Sequence, residues 1–490
     1  MLVFSIGHFQ SGYIFRLSVI FFICYLSACS APSAISPQQP KAPKNWSTLS
    51  TDQSRLMAEQ EQNWLSEFND ATLLVLVKKA VQNNFNLKAQ RAKVATAKEA
   101  VDIGNASLFP ELSLSINGLR NKRLIEDQPI YTTDTQLMAQ LTYEVDIWGK
   151  LSASRQANRL QYAQQLAQYE QAEITLTANI VQAWFDLIEA KQLLALYQQR
   201  VVNLQTNLAN IQSSYRLGLN QALDVYLAKN DVNIDLALVK AQQQTVSTKV
   251  SALQLLLGEY PSGLMEVNSS IPALSTQLNL GVPSTLLTAR ADIRAQWYAL
   301  LAKDAQLAVA HKQRFPRFSL TAEGGDSSKN LQNLLNGGTL VWSLIGNITS
   351  PLFNAGKLKS YQEQARLAVV EQEQLYLQQV FDAFAEVENA ISEQDALHHR
   401  YRYFIKAKEN AMSAEKLSFD QYMSGLINYA TVLESQRRSF DAQTRVIQLK
   451  NQLIQNRIRL AVALGGQLEK SSFQQASQQQ EQAIRLKDLP

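Results

Sequence analysis

Cysteine, histidine and net charge are all scarce in this chain of 490 residues, and each scarcity removes a class of chemistry. There are only two cysteines, Cys24 and Cys29; if the first leaves with a signal segment and the second is acylated, no free thiol is left for a disulfide or a cysteine metal site. Of the four histidines, His8 is near the N-terminus and His311, His398 and His399 fall in helical stretches beside Lys and Arg. The adjacent pair points about 100° apart around a helix and lacks the i, i+4 spacing of a helical metal site. A net charge of +4, with 18% charged residues, gives no bulk attraction to nucleic acid. The chain has no glycine-rich phosphate loop, Walker-type lysine or Gly-x-Ser-x-Gly elbow. The expectation is a chain with no catalytic site, no metal and no cofactor.

Glycine and proline are missing in a more local way. Neither occurs in the 68 residues from Lys150 to Leu217, nor in the 68 from Lys357 to Ser424. As continuous helix each run extends about 100 Å at roughly 1.5 Å per residue, so each must lie against other helices. Each ends at a glycine, Gly218 or Gly425, followed by a second Gly/Pro-free stretch, Gln221–Leu257 or Leu426–Leu464. Upstream helices are expected over Ala71–Leu108 and Ser284–Phe315. Heptad steps through Val232, Leu236, Val239, Gln243, Val246, Val250, Leu253 and Leu257 give a coiled-coil seam, with Gln243 its one polar member. Ile174, Thr177, Val181, Trp184 and Ile188, and Leu377, Val380, Phe384, Val387 and Ile391, do the same on the long runs. These stripes are read as helix-to-helix contact.

The runs belong to a larger duplication. Gly149-Lys150-Leu151 returns as Gly356-Lys357-Leu358, Tyr215…Gly218 as Tyr422…Gly425 and Leu257-Gly258 as Leu464-Gly465, each 207 positions on. Phe109-Pro110 returns as Phe315-Pro316 after 206. Such spacing implies two copies of one structural unit.

Between upstream helix and long helix, each copy changes period from 3.6 to 2. Leu112, Leu114 and Ile116 alternate with polar residues, as do Leu137, Ala139, Leu141, Tyr143 and Val145. Phe318, Leu320 and Ala322 follow in the second copy, then Leu340, Trp342, Leu344, Gly346 and Ile348, where Val341 and Ile345 blur the alternation. Gly324-Gly325 and Gly337-Gly338 are expected to bound the loop between the last two strands. Segments of about ten residues with one apolar and one polar face are the transmembrane β-barrel pattern. Two small soluble hairpins capping a coiled coil are the alternative. Four strands cannot close a barrel, and open edges are not tolerated in hydrocarbon, so copies of the chain must complete the sheet. A dimer gives eight strands and a lumen filled by side chains; a trimer gives twelve and room for water.

At the N-terminus, Arg16 precedes the apolar run Leu17–Leu26, the length of a signal-peptide core and too short to span as a helix. It ends in Leu26-Ser27-Ala28-Cys29, which resembles a bacterial lipobox; that resemblance implies cleavage before Cys29 and acylation of its thiol. Ser30, not Asp, at the next position implies sorting to the outer membrane. The expected organisation is a signal peptide over 1–28, an acylated, Pro-rich tether over 29–64, a first repeat over 65–260, a linker over 261–283, a second repeat over 284–468 and a polar tail over 469–490.

The order of helix, strand pair, long helix, Tyr-x-x-Gly turn and return helix, given twice, resembles the outer membrane factor (TolC-like) family, and the lipobox makes the chain similar to its acylated NodT-type members. The resemblance covers about Leu65 to Gly466. It implies a mixed, mostly α fold: a long-helix α-barrel continuous with a trimeric 12-stranded outer-membrane β-barrel, four strands per chain. The implied partners are two further copies, a periplasmic adaptor and an inner-membrane transporter of the resistance-nodulation-division type, with outer-membrane lipid around the barrel. The implied function is the passive exit duct of a tripartite efflux system. A duct for type I protein secretion, or a lipid-anchored adaptor or structural coiled-coil protein, are alternatives. Carried over residue by residue, Leu433-Glu434-Ser435-Gln436-Arg437 matches the family's periplasmic gate, with Glu434 where Asp is common and Arg437 beside it. The hairpin tips Gly218-Leu219 and Gly425-Leu426 match its adaptor-docking positions.

Overall fold

The computed structural model describes residues 42–43, 46–47, 64–125, 127–267, 270–272, 283–329, 332 and 339–466. The signal segment, Cys29, Gly337-Gly338 and the tail over 469–490 lie outside the described residues. Eight α-helices and four strands are described: α1 Ala71–Asn83, α2 Phe85–Ala106, β1 Glu111–Ile125, β2 Gln128–Val145, α3 Lys150–Arg216, α4 Ala222–Leu256, α5 Leu286–Ala289, α6 Ala291–Lys312, β3 Arg317–Ser328, β4 Thr339–Thr349, α7 Lys357–Met423 and α8 Tyr429–Ala463. The long helices α3 and α7 each run 67 residues, and the return helices α4 and α8 each run 35. No described helix is long and apolar enough to cross a membrane. The chain separates into two compact units.

One unit, drawn from residues 96–162 and 297–375, contains the sheet. Its strands pair antiparallel in the order β1-β2-β3-β4, so the pair from the first half of the chain joins the pair from the second through β2 and β3. The register lines up apolar rows: Leu112, Leu141, Ala322 and Leu344; Leu114, Ala139, Gly324 and Trp342; Val145, Phe318 and Ile348. Because side chains alternate, the opposite face collects Ser113, Gln140, Glu323 and Ser343, with the Gln140 amide donating to Glu323 at 2.7 Å. Where the sheet meets its helices, Trp148 packs 5.2 Å from Phe315, and its indole N–H donates to the Pro316 carbonyl. The expectation for Gly324-Gly325 is corrected here: both lie inside β3, which runs on to Ser328. At Gly325 a Cβ would sit 1.9 Å from the Leu137 carbonyl oxygen, so the glycine serves the close approach of β3 to β2.

The other unit, drawn from residues 40–95, 163–296 and 376–490, is helical. Its core is Phe68, Leu73, Leu87, Ile180, Trp184, Phe185, Ile188, Leu253 and Leu257. Asp70 caps α1 by accepting from the Thr72 and Leu73 amides, and its second oxygen accepts from the Trp184 indole at 2.8 Å. The stripes of α3 and α7 face inward: Ile174, Val181, Trp184 and Ile188, and Val380, Phe384, Val387 and Ile391, are buried.

Two expectations fail in this unit. The buried seam of α4 is Val225, Ala228, Val232, Asp235, Val239, Gln242, Val250, Leu253 and Leu257, while Leu236 and Gln243 are exposed. Polar partners set this register: Asp235 lies 3.0 Å from Arg200 of α3, and the Gln242 amide donates to the Ala190 carbonyl at 2.9 Å. The upstream helices are also broken, at Asn84 and Arg290, with no glycine or proline at either break. At each break a side chain satisfies a carbonyl in the last turn of a return helix. Asn84 donates to Leu256 at 2.9 Å and Arg290 to Ala463 at 3.1 Å, groups that have no partner within their own helix. Beside them Gly258 (φ +71°) and Gly465 (φ +110°) take left-handed backbone conformations. A Cβ on Gly258 would lie 2.7 Å from the Asn83 carbonyl oxygen. Gly258→Ala is therefore expected to destabilise the helical unit by at least about 1–2 kcal/mol, the cost of left-handed backbone for an L-residue. Denaturant unfolding in mild detergent, followed by circular dichroism, checks this; an unchanged midpoint contradicts it.

Candidate functional site

The ends of the two long hairpins carry the residues singled out from the sequence. At the tip between α3 and α4, Gly218 (φ +75°) reverses the chain, and the Leu219 amide reaches back to the Ser214 carbonyl at 2.9 Å. At the tip between α7 and α8, Gly425 (φ +71°) does the same, with Leu426 donating to Gln421 at 2.9 Å. This is the left-handed helix ending for which glycine is suited. It presents Leu219 and Leu426 to the outside, 73% and 72% exposed. The second tip is further fixed by Asn428, whose side chain accepts from the Thr431 amide at the start of α8; Gln221 makes no such bond before α4.

Beneath the tips the two hairpins share a core of Ile211, Val225, Ala228, Tyr422, Tyr429 and Val432. The Tyr422 hydroxyl donates to Asp224 at 2.9 Å, tying α7 to α4, and the Tyr422 and Tyr429 rings lie 5.3 Å apart. Burial raises both phenols above the ordinary tyrosine value, with the Asp224 carboxylate adding to the shift. Farther along, Arg200 sits 4.1 Å over the Phe440 ring and 3.0 Å from Asp235. One cation therefore serves a buried carboxylate, Asp235, and a half-buried one, Asp231: burial raises both, and Arg200 offsets part of that shift. One Asp231 oxygen is buried without a hydrogen-bond partner among the described residues.

Glu434 lies in the second turn of α8 and is an exposed acceptor. Arg437 donates to it through two nitrogens, the shorter bond 2.8 Å, and Arg438 adds a bond of 2.7 Å. These guanidinium bonds, Arg437 first, hold the carboxyl below the ordinary glutamate range. The structure thus brings Glu434 and Arg437 together and adds Arg438. Sequence reasoning missed Arg438, the Tyr422–Asp224 bond and the Arg200–Asp235 pair. A buried tyrosine in the Tyr-x-x-Gly turn needs a polar partner, which was the available signal for Tyr422. No local pattern pointed to Arg200, since its partner is distant in sequence.

The sheet supplies the other functional surface. Leu112, Leu114, Ile116, Leu340, Trp342 and Leu344 on its apolar face are 65–76% exposed. At about 1.5–3 kcal/mol for each large apolar side chain removed from water, leaving these six wet forfeits about 9–18 kcal/mol. That is comparable to the whole stability of a domain, so this face is built for an apolar surrounding.

The family model for outer membrane efflux proteins matches the chain twice, over residues 76–259 and 282–466. The chain belongs to the outer membrane efflux protein family. Among curated relatives, the solvent efflux pump outer membrane protein SrpC of Pseudomonas putida is 29% identical over 81% of this chain and 86% of its own length. The probable outer membrane lipoprotein SilC of Salmonella typhimurium is 27% identical over 89% of this chain and 93% of its own. The crystal structure of a membrane protein from Pseudomonas aeruginosa superposes with a TM-score of 0.82 at 26% identity, covering 89% of this chain and all of that one. As a member of this family the chain is an outer-membrane efflux channel component, a transport role, with the helical and strand-built portions of such channels.

Because Asp231 is raised by burial, its folded form binds a proton at a pH where the unfolded form does not. Stability therefore falls as pH rises from the ordinary carboxylate range through the raised value, and is regained on acidification. Hydrogen-exchange protection over 224–236, taken relative to the intrinsic exchange rate at each pH, is expected to be greater at the acidic end of that window. Asp231→Asn is expected to slow exchange at neutral pH and flatten the dependence. An unaltered profile in this variant contradicts the assignment.

Proposed function

We propose that three copies of this chain close one duct. Each contributes four strands to a 12-stranded barrel in the outer membrane and two long hairpins to a helical tunnel in the periplasm. The observation that carries this reading is the four-stranded sheet, with free edges at β1 and β4, one apolar exposed face and one polar face. A sheet edge in hydrocarbon leaves backbone groups unpaired at several kcal/mol each, so the sheet is complete only when β1 of one copy meets β4 of the next. Eight strands from two copies leave a lumen filled by side chains, whereas twelve leave room for water, and the polar face then lines the passage. In this reading the chain is two copies of one unit, 65–260 and 284–468; the equal lengths of α3 and α7 and of α4 and α8 support it.

The duct is passive and performs no chemistry. Substrate arrives from an inner-membrane transporter, of the resistance-nodulation-division type in the family the sequence resembles, through a periplasmic adaptor. The exposed Gly218-Leu219 and Gly425-Leu426 tips are the adaptor's docking points, because they offer apolar side chains on rigid turns. Glu434, brought three times around the symmetry axis, forms a carboxylate ring at the periplasmic mouth. Its bonds to Arg437 and Arg438 offset the repulsion among the three charges. The Tyr422–Asp224 bond joins the two hairpins of each copy and works against opening. Cys29 carries the lipid anchor.

Planar-bilayer recording tests the duct and its gate together. The wild type is expected to conduct weakly, while Glu434→Gln and Tyr422→Phe, which loses the hydrogen bond to Asp224, are each expected to raise the leak. A closed state unchanged in both removes these residues from the gate, and absence of any conductance overturns the duct. Cys29→Ser is expected to abolish incorporation of radiolabelled palmitate during growth; persistent label in this variant contradicts the anchor assignment.

A further inference from the structure

The apolar face of the sheet does not fade into the loops; it changes character over a short distance. Along β1, Leu112, Leu114 and Ile116 are followed on the same face by Gly118, Arg120, Lys122 and Leu124. The register places Arg120 opposite Thr133 and Lys122 opposite Tyr131 of β2. The Tyr131 ring lies on that face within reach of both, 5.5 Å from the Arg120 guanidinium and 5.8 Å from the Lys122 ammonium. All three side chains are exposed. Arg120 begins about 13 Å along the strand from Ile116 at roughly 3.4 Å per residue. Its long side chain can reach back toward the apolar band while keeping its charge in a polar layer.

Among the described residues, the acidic groups at this end of the sheet stand apart from the pair. Asp134 is on the polar face, where it accepts from Gln136 and Ser327. Asp127 sits in the turn between β1 and β2. Asp326 shares the apolar face but stands on β3, in the row of Ile116. Neither Arg120 nor Lys122 forms an ion pair with a described carboxylate. Two cations flanking an aromatic ring, directly beyond a lipid-facing band and on the same face, match a layer of phosphate oxygens.

We infer that Arg120, Lys122 and Tyr131 form a binding site on the outside of the barrel for the phosphate headgroup of an outer-leaflet membrane lipid. The cations bond the phosphate, and the tyrosine ring rests at the boundary between headgroup and acyl chain, where aromatic residues flank such bands. The inference rests on the membrane-embedded barrel proposed above and goes beyond it in assigning a lipid chemistry to one face of one hairpin.

The full acylated chain, reconstituted into phosphatidylcholine vesicles doped with bisphosphorylated lipid A and then re-extracted, tests it by mass spectrometry of the lipid retained. The wild type is expected to retain lipid A in excess over its share of the vesicle, less so at high salt. Arg120→Gln with Lys122→Gln is expected to reduce that enrichment about thirtyfold, following the loss of two headgroup-level cations at about 1 kcal/mol each. Arg120→Lys with Lys122→Arg is expected to keep most of it. Lys240→Gln with Lys406→Gln, which removes the same charge from exposed helical positions, is expected to keep all of it. Equal enrichment in the Arg120→Gln/Lys122→Gln protein, or none in the wild type, overturns the site. Planar-bilayer conductance of the same samples separates the two readings. A wild type that conducts without enrichment sinks the lipid site alone, whereas a wild type that does not insert sinks the barrel and the site with it.

Discussion

Backbone amides and carbonyls must find partners wherever water is excluded, and four antiparallel strands cannot supply those partners to their own outer edges. Most of what is functional in this chain follows from that constraint. The sheet ends at β1 on one side and β4 on the other, and its apolar face is exposed along most of its length. In hydrocarbon the exposed face is an advantage and the free edges are a cost. In the proposed trimer, association of copies removes that cost and makes a passage in the same step. The proposed duct is thus the solution to a hydrogen-bonding problem that one chain cannot solve.

The helical unit solves a different problem, that of holding helices of 67 residues in register without proline or glycine to punctuate them. Apolar stripes alone allow sliding, because one heptad resembles the next. Polar groups set the register here: Gln242 on the Ala190 carbonyl, Asn456 on the Ala390 carbonyl, and Asp186 accepting from Asn451, Gln455 and Lys249. Each bond is made at one register only, and slipping leaves a buried polar group unpaired at about 1–3 kcal/mol. Near the tips the logic reverses. Asp231 and Asp235 share one arginine, and Tyr429 keeps a buried hydroxyl without a partner among the described residues.

Much of the architecture was legible in the chain. Two Gly/Pro-free runs marked the long helices, and Gly218 and Gly425 marked their reversal, because few other residues tolerate left-handed backbone. Alternation over Leu112–Ile116 and Leu137–Val145 marked strands, because the period of 2 is a property of the extended chain itself. The misread features were those that depend on distant partners. Leu236 has the right spacing for the α4 seam and yet faces out, since Arg200 draws Asp235 inward instead. Gly324-Gly325 looks like a turn and is strand, and at Gly325 the β2 backbone occupies the space that a Cβ needs.

By itself, then, the amino-acid order determined which segments are helix and strand, where the hairpins turn and which sheet face is apolar, all of which rest on local backbone geometry and side-chain period. The breaks at Asn84 and Arg290, the Tyr422–Asp224 bond, the second arginine on Glu434 and the placing of Arg120 and Lys122 about one aromatic ring were decided only by the tertiary structure. Most of these join residues far apart in the chain, and the rest depend on which rotamer or strand face the folded backbone presents; no periodicity in a linear sequence encodes either.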